Sequence, residues 1–160
     1  MSVVESWVVR THKLTGTDAF IVFDLDDAES AYGVTRLAQK ILADGAQLLA
    51  RSVTYTFASF DIRRSGASAG INAKPDQRVE AVRAFVEEID PLAADGRLVT
   101  DPGLGLTESD VGPLRRHDPR PAELLADGRM AELAVAGAIG AAEAVLGGIV
   151  GRRVRVDGTG

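Results

Sequence analysis

The sequence predicts an α/β domain in which a mixed β-sheet is flanked by helices. Two observations support this class. Runs rich in Val, Ile and Phe near the N-terminus are typical of strands, and longer segments carry apolar residues at the three- and four-residue spacing of helices. The chain has 160 residues, of which 46% are hydrophobic, so we expect a folded domain with a sizeable core.

The first predicted element is a β-hairpin. Its strands run from Ser6 to Arg10 and from Ala19 to Leu25, joined by the turn-like segment T-H-K-L-T-G-T-D. Asp24, Asp26 and Asp27 follow at the end of the second strand. Three carboxylates suggest a cation site, but no further ligand follows at the spacing of a calcium loop, which favours a solvated loop.

A helix is predicted after the hairpin, from the spacing of Leu37, Ile41, Leu42, Leu48 and Leu49. A second helix is predicted to open at Pro75 and Asp76 and to close at Pro91. Its apolar face consists of Val79, Val82, Phe85, Val86 and Ile89.

A short strand over Arg97 to Thr100 is predicted after this helix. Thr107 is expected to cap a short helix, because Asp110 stands at the third position after it in a pattern like a capping box.

The stretch from Ser52 to Ile71 carries the strongest functional signal. An apolar, helix-competent run, Val53 to Phe60, leads into a turn of small residues, Ser65 to Gly70. Only small side chains let a backbone approach a ligand or another strand closely, so the turn is interpreted as the floor of a pocket. The alternative is a tight structural turn, because Gly and Ser are ordinary turn formers.

Composition excludes several classes of protein. The net charge is -5, and no Lys or Arg run forms a stripe, so nucleic acid is not an expected partner. The chain has no cysteine, which excludes disulfides, thiolate nucleophiles and cysteine-bound zinc. No secretory signal or confident membrane span is visible. We therefore expect a cytoplasmic protein that does not bind membranes or metal.

The C-terminal segment resembles the start of a dinucleotide-binding unit. A helix from Met130 to about Leu146 is predicted, and Gly147-Gly148 ends it. A strand with Val154 and Val156 then runs into Gly158-Thr159-Gly160. Such glycines permit close approach of a pyrophosphate, but the third glycine and the following helix would lie beyond Gly160, so the motif is incomplete.

The order of these segments resembles the family of glutamate, leucine, phenylalanine and valine dehydrogenases. The resemblance covers nearly the whole chain as the N-terminal substrate and assembly domain of that family. It implies a domain over residues 1–130, and a connecting helix and first strand of a truncated cofactor-binding unit over residues 131–160. Five motifs carry it: Gly33 to Arg36 (Gly-Gly-x-Arg), Val53 to Thr56 (Met-Thr-Tyr/Phe-Lys), Ser65 to Ile71 (Gly-Gly-Gly/Ala-Lys-x-x-Ile), Thr100 to Gly105 (Thr-x-x-Asp-Val-Gly) and Gly151 to Gly160 (Gly-Lys-Arg-Val-x-Val-x-Gly-x-Gly).

The departures from the family pattern fall on its catalysts. In the family one lysine binds the substrate carboxylate, a second polarises the carbonyl or activates water, and an aspartate shuttles protons. The matching positions here are Thr56, Ser68 and Gly103. The resemblance also implies that Gly33, Val34, Thr56, Gly66 and Ser68 line the substrate pocket.

Displaced catalysts are weak alternatives. The chain has three lysines, Lys13, Lys40 and Lys74, and none stands at a matching position. Asp101 and Asp110 lie near the lost aspartate, but turn and capping roles are the simpler interpretation. His12 and His117 lie about a hundred residues apart, without metal-ligand spacing.

The absence of these catalytic side chains argues against ordinary amino-acid dehydrogenation. A positioned acid or base contributes about 10²- to 10⁴-fold to a rate, so losing a lysine and an aspartate should abolish useful activity. The sequence favours a catalytically degenerate ligand-binding or assembly subunit that pairs with itself or with a related dehydrogenase and binds an amino-acid-like molecule. The alternative is a redirected NAD(P)-dependent oxidoreductase of which this chain is the N-terminal part. In that case NAD(P) would bind beyond Gly160, and no cofactor is expected in the chain itself.

Overall fold

A computed structural model describes residues 10–120 and six isolated positions, Ile139, Glu143, Gly147, Gly148, Val150 and Gly151. The chain divides into two compact units, Met1–Asp118 and Pro119–Gly160, and the elements below lie in the first. The predicted boundary after residue 130 falls within the second unit. The predicted strand that leads to Gly158 and Gly160 lies outside the described residues.

Five strands form one mixed sheet in the order β1-β2-β4-β3-β5. The pairs β1–β2 and β2–β4 are antiparallel, whereas β3 is parallel to both β4 and β5. The predicted α/β class with a mixed sheet is therefore confirmed. The strands are β1 (Arg10–Lys13), β2 (Ala19–Phe23), β3 (Ala31–Ala38), β4 (Ser65–Asn72) and β5 (Leu98–Pro102).

The two long helices pack on opposite faces of this sheet. A short 3₁₀ turn, Pro75–Gln77, precedes the second of them, and another, Gly112–His117, follows the third helix. The α-helices are α1 (Ala43–Ser59), α2 (Arg78–Ala94) and α3 (Glu108–Val111).

The larger core lies between the sheet and α2. Phe85 and Ile89 of α2 are each 1% exposed, and they belong to the same buried cluster as Ile21 of β2 and Ile71 of β4. The predicted helix face is confirmed at these positions and at the buried Val82 and Val86. Val79 departs from it, because it lies 78% exposed near the start of α2.

The smaller core lies between the sheet and α1, and it brings two backbones together. Ala46, Ala50 and Thr54 recur every fourth residue and are buried, so one stripe of the helix faces the sheet. A Cβ atom added at Gly66 of β4 would lie 1.8 Å from the Ala50 carbonyl oxygen. The Gly66 amide donates a hydrogen bond to Thr54 Oγ1 over 2.8 Å. Glycine at position 66 is therefore required by the close approach of the helix.

Several sequence-based element assignments were wrong, beginning with those of β4 and β3. Ser65 to Gly70 is not a turn but most of the central strand β4, which is buried along nearly its whole length. Leu37 belongs to β3 rather than to a helix, and α1 begins only at Ala43. Small residues suit β4 because it has a strand on each side and, at Gly66, a helix backbone above it.

Pro91 lies inside α2 and does not end it. A helical proline loses its own amide donor, but its carbonyl still accepts a bond, here from the Asp95 amide over 3.0 Å. The helix therefore continues to Ala94.

Asp24 and β1 also differ from expectation. Asp24 is 1% exposed rather than solvated, and Arg51 Nε of α1 lies 3.4 Å from its carboxylate. In the hairpin, His12 and Lys13 belong to β1 and not to the turn. The expected strand residues Ser6 to Val9 lie outside the described part.

The capping box at α3 is confirmed. The Thr107 amide donates a hydrogen bond to Asp110 Oδ2 over 2.7 Å, and Arg78 Nη2 of α2 lies 2.6 Å from the same oxygen. The hydrogen bond from Arg78, supported by the Thr107 donors, lowers the pKa of Asp110 to about 2. Asp110 therefore joins α2 to α3. None of the helices described in residues 10–120 is long and apolar enough to span a membrane.

Candidate functional site

The α1 side of the sheet is half-exposed over β3 and β5. Helix α1 packs mainly on β2 and β4, and it meets β3 where the ring of Phe57 contacts the ring of Tyr32 edge-on at 5.8 Å. Strand pairing places the side chains of alternate β3 residues on this face. We call it the β3–β5 surface; it is formed by Tyr32, Val34 and Arg36 of β3 with Asp101 and Gly103.

Ser68 is buried beneath this surface. It is 1% exposed and is paired with Val22 of β2 and Val34 of β3 in the sheet register. Its hydroxyl accepts a long hydrogen bond, 3.4 Å, from Arg36 Nη2. A serine hydroxyl in such a contact still has a proton to donate.

Arg36 is the cation of this surface, and the sequence analysis did not single it out. Its buried Nε has no hydrogen-bond partner, and no carboxylate pairs with its guanidinium among the described residues. Burial lowers the pKa of Arg36, but a guanidinium remains charged at neutral pH. The sequence offered one signal for this grouping: Tyr32, Val34 and Arg36 are alternate residues of a strand, so their side chains lie on one face.

Gly103 and Val34 fit each other closely. The Gly103 amide donates to the Thr35 carbonyl over 2.8 Å. A Cβ atom at Gly103 would lie 2.4 Å from Val34 Cγ1 and 3.1 Å from Arg36 Cγ. The methyl group of Val34 therefore occupies the space that a side chain at position 103 would need.

The remaining expected pocket residues are dispersed. Gly66 lies beneath α1, and a Cβ atom on Gly33 would meet the Ala67 backbone of β4. Thr56 lies on the exposed surface of α1, where its hydroxyl donates to the Ser52 carbonyl over 3.0 Å. Since residues of a helix are 100° apart, Thr56 is on the flank next to Phe57. The structure thus groups Val34, Ser68 and Gly103 around Arg36.

Asp101 is held at the β5 side of this surface. Its carboxylate accepts a hydrogen bond from the Tyr32 hydroxyl over 2.5 Å and pairs with Arg115 at 3.0 Å. Arg115 also pairs with Glu108 and Asp118. These contacts give Asp101 a structural role in joining β3, β5 and the 3₁₀ turn.

Among the described residues, the β3–β5 surface carries hydrogen-bonding groups and a positive charge but no lysine or histidine. Lys40 and Lys74 are exposed two residues beyond β3 and β4, and Lys13 lies on the opposite edge strand. His12 is exposed on β1, and His117 Nε2 contacts Asp90 at 3.1 Å. Within the described residues no group of His, Asp and Glu is arranged to hold a metal ion.

A separate groove of about 540 Å³ lies between α2 and the α3 region. Its apolar wall includes Val79 and Val82. The arginines around it are internally compensated, because Arg78 pairs with Asp110 and Arg116 pairs with Asp90. Unlike the β3–β5 surface, this groove therefore presents little uncompensated charge.

Comparison with known proteins agrees with the architecture. L-tryptophan dehydrogenase from Nostoc punctiforme is similar with a TM-score of 0.52 and 26% identity, over 67% of this chain and 33% of that chain. Hetero-hexameric glutamate dehydrogenase from Thermus thermophilus, in its Leu bound form, is similar with a TM-score of 0.52 and 19% identity, over 71% of this chain and 30% of that one. Glutamate dehydrogenase from Peptoniphilus asaccharolyticus also has a TM-score of 0.52, with 12% identity over 62% of this chain and 26% of that one.

The present chain spans a third or less of each of these proteins. No family model matches it, and no curated protein matches it in sequence. The sheet order, the two flanking helices and these three neighbours lead to one structural conclusion. The chain has the mixed α/β fold of amino-acid dehydrogenase domains.

Proposed function

We propose that this chain is a catalytically degenerate relative of the amino-acid dehydrogenases, acting as a ligand-binding or assembly subunit. The observation that carries the proposal is the contact between Val34 and Gly103. By the resemblance, position 103 corresponds to the proton-shuttling aspartate. A side chain there would begin 2.4 Å from Val34 Cγ1, so restoring the carboxylate would require a second change at Val34.

The two lysine positions support the same proposal. Ser68 and Thr56 carry hydroxyls, which donate and accept hydrogen bonds but hold no charge. Each positioned acid–base group contributes about 10²- to 10⁴-fold to a rate. A domain that lacks all three groups retains a way to hold a ligand but not to transform it.

Assembly is the second part of the proposal. One of the similar structures is a hetero-hexameric glutamate dehydrogenase, and this chain exposes large apolar side chains on α1. Leu48 and Tyr55 are 67% and 59% exposed and lie seven residues apart, so they share a helix face. We propose that this face contacts a second copy of the chain or a related dehydrogenase.

Light scattering of the full chain, alone and co-expressed with a dehydrogenase from the same host, tests assembly. We expect an oligomer that the double substitution Leu48→Glu and Tyr55→Glu disrupts. The matched control is Val79→Glu, which adds the same charge at an exposed position on α2. A monomer that binds neither amino acids nor any co-expressed dehydrogenase would refute the proposal.

The alternative is a redirected NAD(P)-linked oxidoreductase with an amino- or keto-acid-like substrate. It is favoured by the fraction of the similar proteins that the chain spans, together with the Gly158-Thr159-Gly160 sequence, which resembles the start of a dinucleotide-binding turn. The intact mass of the gene product in its native host separates the two. A mass near 16.8 kDa supports the subunit, whereas a mass about twice as large, with nicotinamide absorbance changes on a substrate panel, supports the enzyme.

A further inference from the structure

The groove between α2 and the α3 region, called the α2–α3 groove below, pairs each of its charges. Its volume is about 540 Å³, and its apolar wall consists of Val79, Val82, Val86 and Pro113. A cavity of this size with an apolar lining and a few polar groups is typical of small-molecule sites. The charged residues of the lining form three pairs: Arg78–Asp110 at 2.6 Å, Arg83–Glu87 at 2.7 Å and Arg116–Asp90 at 2.7 Å. In this state the lining has no net charge that would attract an ion.

His117 adds a titratable group beside the Arg116–Asp90 pair. Its Nε2 lies 3.1 Å from Asp90 Oδ1, the same oxygen that accepts a hydrogen bond from Arg116 Nη2 over 2.7 Å. Arg116 Nε lies 2.9 Å from His117 Nε2. The side chain of Arg116 is 62% exposed, so its guanidinium is open to a ligand at the rim of the groove.

The two contacts of His117 Nε2 require different protonation states. An arginine N–H only donates, so the contact with Arg116 is a hydrogen bond when Nε2 carries a lone pair. An ionised carboxylate only accepts, so the contact with Asp90 is a hydrogen bond when Nε2 carries a proton. A proton on Nε2 therefore decides whether His117 is bonded to Arg116 or to Asp90.

Asp90 remains ionised in the pH range where histidines titrate. Desolvation raises the pKa of Asp90, but the hydrogen bonds and charges of Arg116 and His117 outweigh it, and the net shift is downward. Histidine ordinarily changes its charge between about pH 5 and 8. The other charged groups beside His117 are Arg115 and Asp118, which pair with each other at 3.0 Å. A proton taken up by His117 therefore leaves the carboxylate of Asp90 shared between two cations.

We propose that the α2–α3 groove is a pH-gated site for a small apolar anion, which Arg116 holds when His117 is protonated. In that state His117 Nε2–H donates to Asp90 and repels the facing Nε–H of Arg116. One positive charge is then in excess, and the guanidinium has donors free for the anion. The valines and Pro113 contact its apolar body. This inference goes beyond the proposed function, because no position of the family resemblance lines the groove.

The first test is the tautomer of His117, read from the ring nitrogen signals of the full chain by nuclear magnetic resonance. At about pH 8, where an ordinary histidine is neutral, we expect the ring proton on Nδ1, which leaves Nε2 to accept from Arg116. His12→Gln assigns the signals, because the chain has two histidines. A neutral ring with its proton on Nε2 would already satisfy Asp90 and would overturn the gate.

The second test is binding of sodium benzoate to the full chain, with uncharged benzamide at the same ionic strength as the control ligand. We expect benzoate to bind about 10-fold more tightly at about pH 5.5 than at about pH 8, the effect of one charge-assisted contact. Benzamide should show no such gain. The signals that shift should include the methyl groups of Val79, Val82 and Val86. Equal benzoate affinities at the two pH values, or shifts confined to other parts of the chain, would overturn the inference.

Substitutions assign the gain to its residues. Arg116→Gln should abolish the gain at the lower pH, and Arg116→Lys, which keeps the charge, should retain most of it. His117→Gln cannot take up a proton and should bind benzoate equally at both pH values. The matched control is Arg63→Gln, which removes an exposed arginine outside the groove and should behave as the wild type. Circular dichroism at both pH values checks that each variant is folded, and a gain that persists in folded Arg116→Gln would overturn the inference.

Discussion

Replacing Gly66 with alanine should force α1 away from β4. The added Cβ atom would lie 1.8 Å from the Ala50 carbonyl oxygen and 2.8 Å from both the Ala50 carbonyl carbon and the Thr54 amide nitrogen. Real Cβ contacts are essentially never shorter than 3.0 Å. All three crowded atoms are helix backbone, so no side-chain rotation relieves the contact and the helix itself must move.

The cost follows from two effects. Overpacking a well-packed core typically destabilises by about 1–3 kcal/mol. Moving the helix also stretches the 2.8 Å hydrogen bond from the Gly66 amide to Thr54 Oγ1, which is worth about 0.5–1.5 kcal/mol. The expected loss is therefore about 2–4 kcal/mol, a large part of the roughly 5–15 kcal/mol that stabilises a typical domain.

Urea unfolding followed by circular dichroism measures this loss. The matched control is Gly45→Ala, the same exchange within α1 at a position where an added Cβ atom meets nothing within 4 Å. The control should be stabilised by about 0.5 kcal/mol, because alanine favours helix more than glycine does. A Gly66→Ala protein as stable as the wild type would refute the described contact between α1 and β4.

Three further substitutions test other parts of the fold. Phe85→Ala should destabilise by about 3–5 kcal/mol, since Phe85 is 1% exposed in the larger core; a urea midpoint within error of the wild type would contradict that burial. Asp110→Asn should cost about 1–2 kcal/mol at neutral pH, because the hydrogen bond from Arg78 lowers the pKa of Asp110 to about 2. A lowered pKa stabilises the fold above the ordinary carboxyl value of 3.8, so the difference between the proteins should disappear as pH falls from about 4 to 2, and a constant difference would argue for a role without charge. Tyr32→Phe should cost about 1 kcal/mol by removing the donor to Asp101; thermal unfolding measures it, and an unchanged midpoint would show that the hydroxyl contributes nothing.

Some elements could be predicted because local patterns determine them. The face of α2 with Val82, Phe85 and Ile89 follows from helical spacing, and all three residues are buried. The capping box of Thr107 and Asp110 is likewise a local signal. The approximate position of the hairpin was also visible from its strand-forming residues.

The central strand could not be predicted because its composition reflects its neighbours. β4 consists mainly of Ser, Gly and Ala, which propensity assigns to turns. Position 66 requires glycine because the Ala50 backbone of α1 lies against it. This contact joins residues far apart in sequence, so the local pattern does not reveal it. Arg36 was missed for a similar reason, since its lack of an anionic partner depends on where Asp101 directs its carboxylate.

The position of β4 in the sheet has a consequence during synthesis of the chain. β4 is the fourth strand in sequence, but it separates β2 from β3, and those two strands do not pair with each other. Until residues 65–72 emerge from the ribosome, β2 and β3 both lack the strand that lies between them in the folded sheet. Unpaired strand edges promote aggregation. Nascent chains that stall before Ser65 should therefore depend on chaperones. Once β4 is synthesised, it pairs with both β2 and β3 and joins them into one sheet.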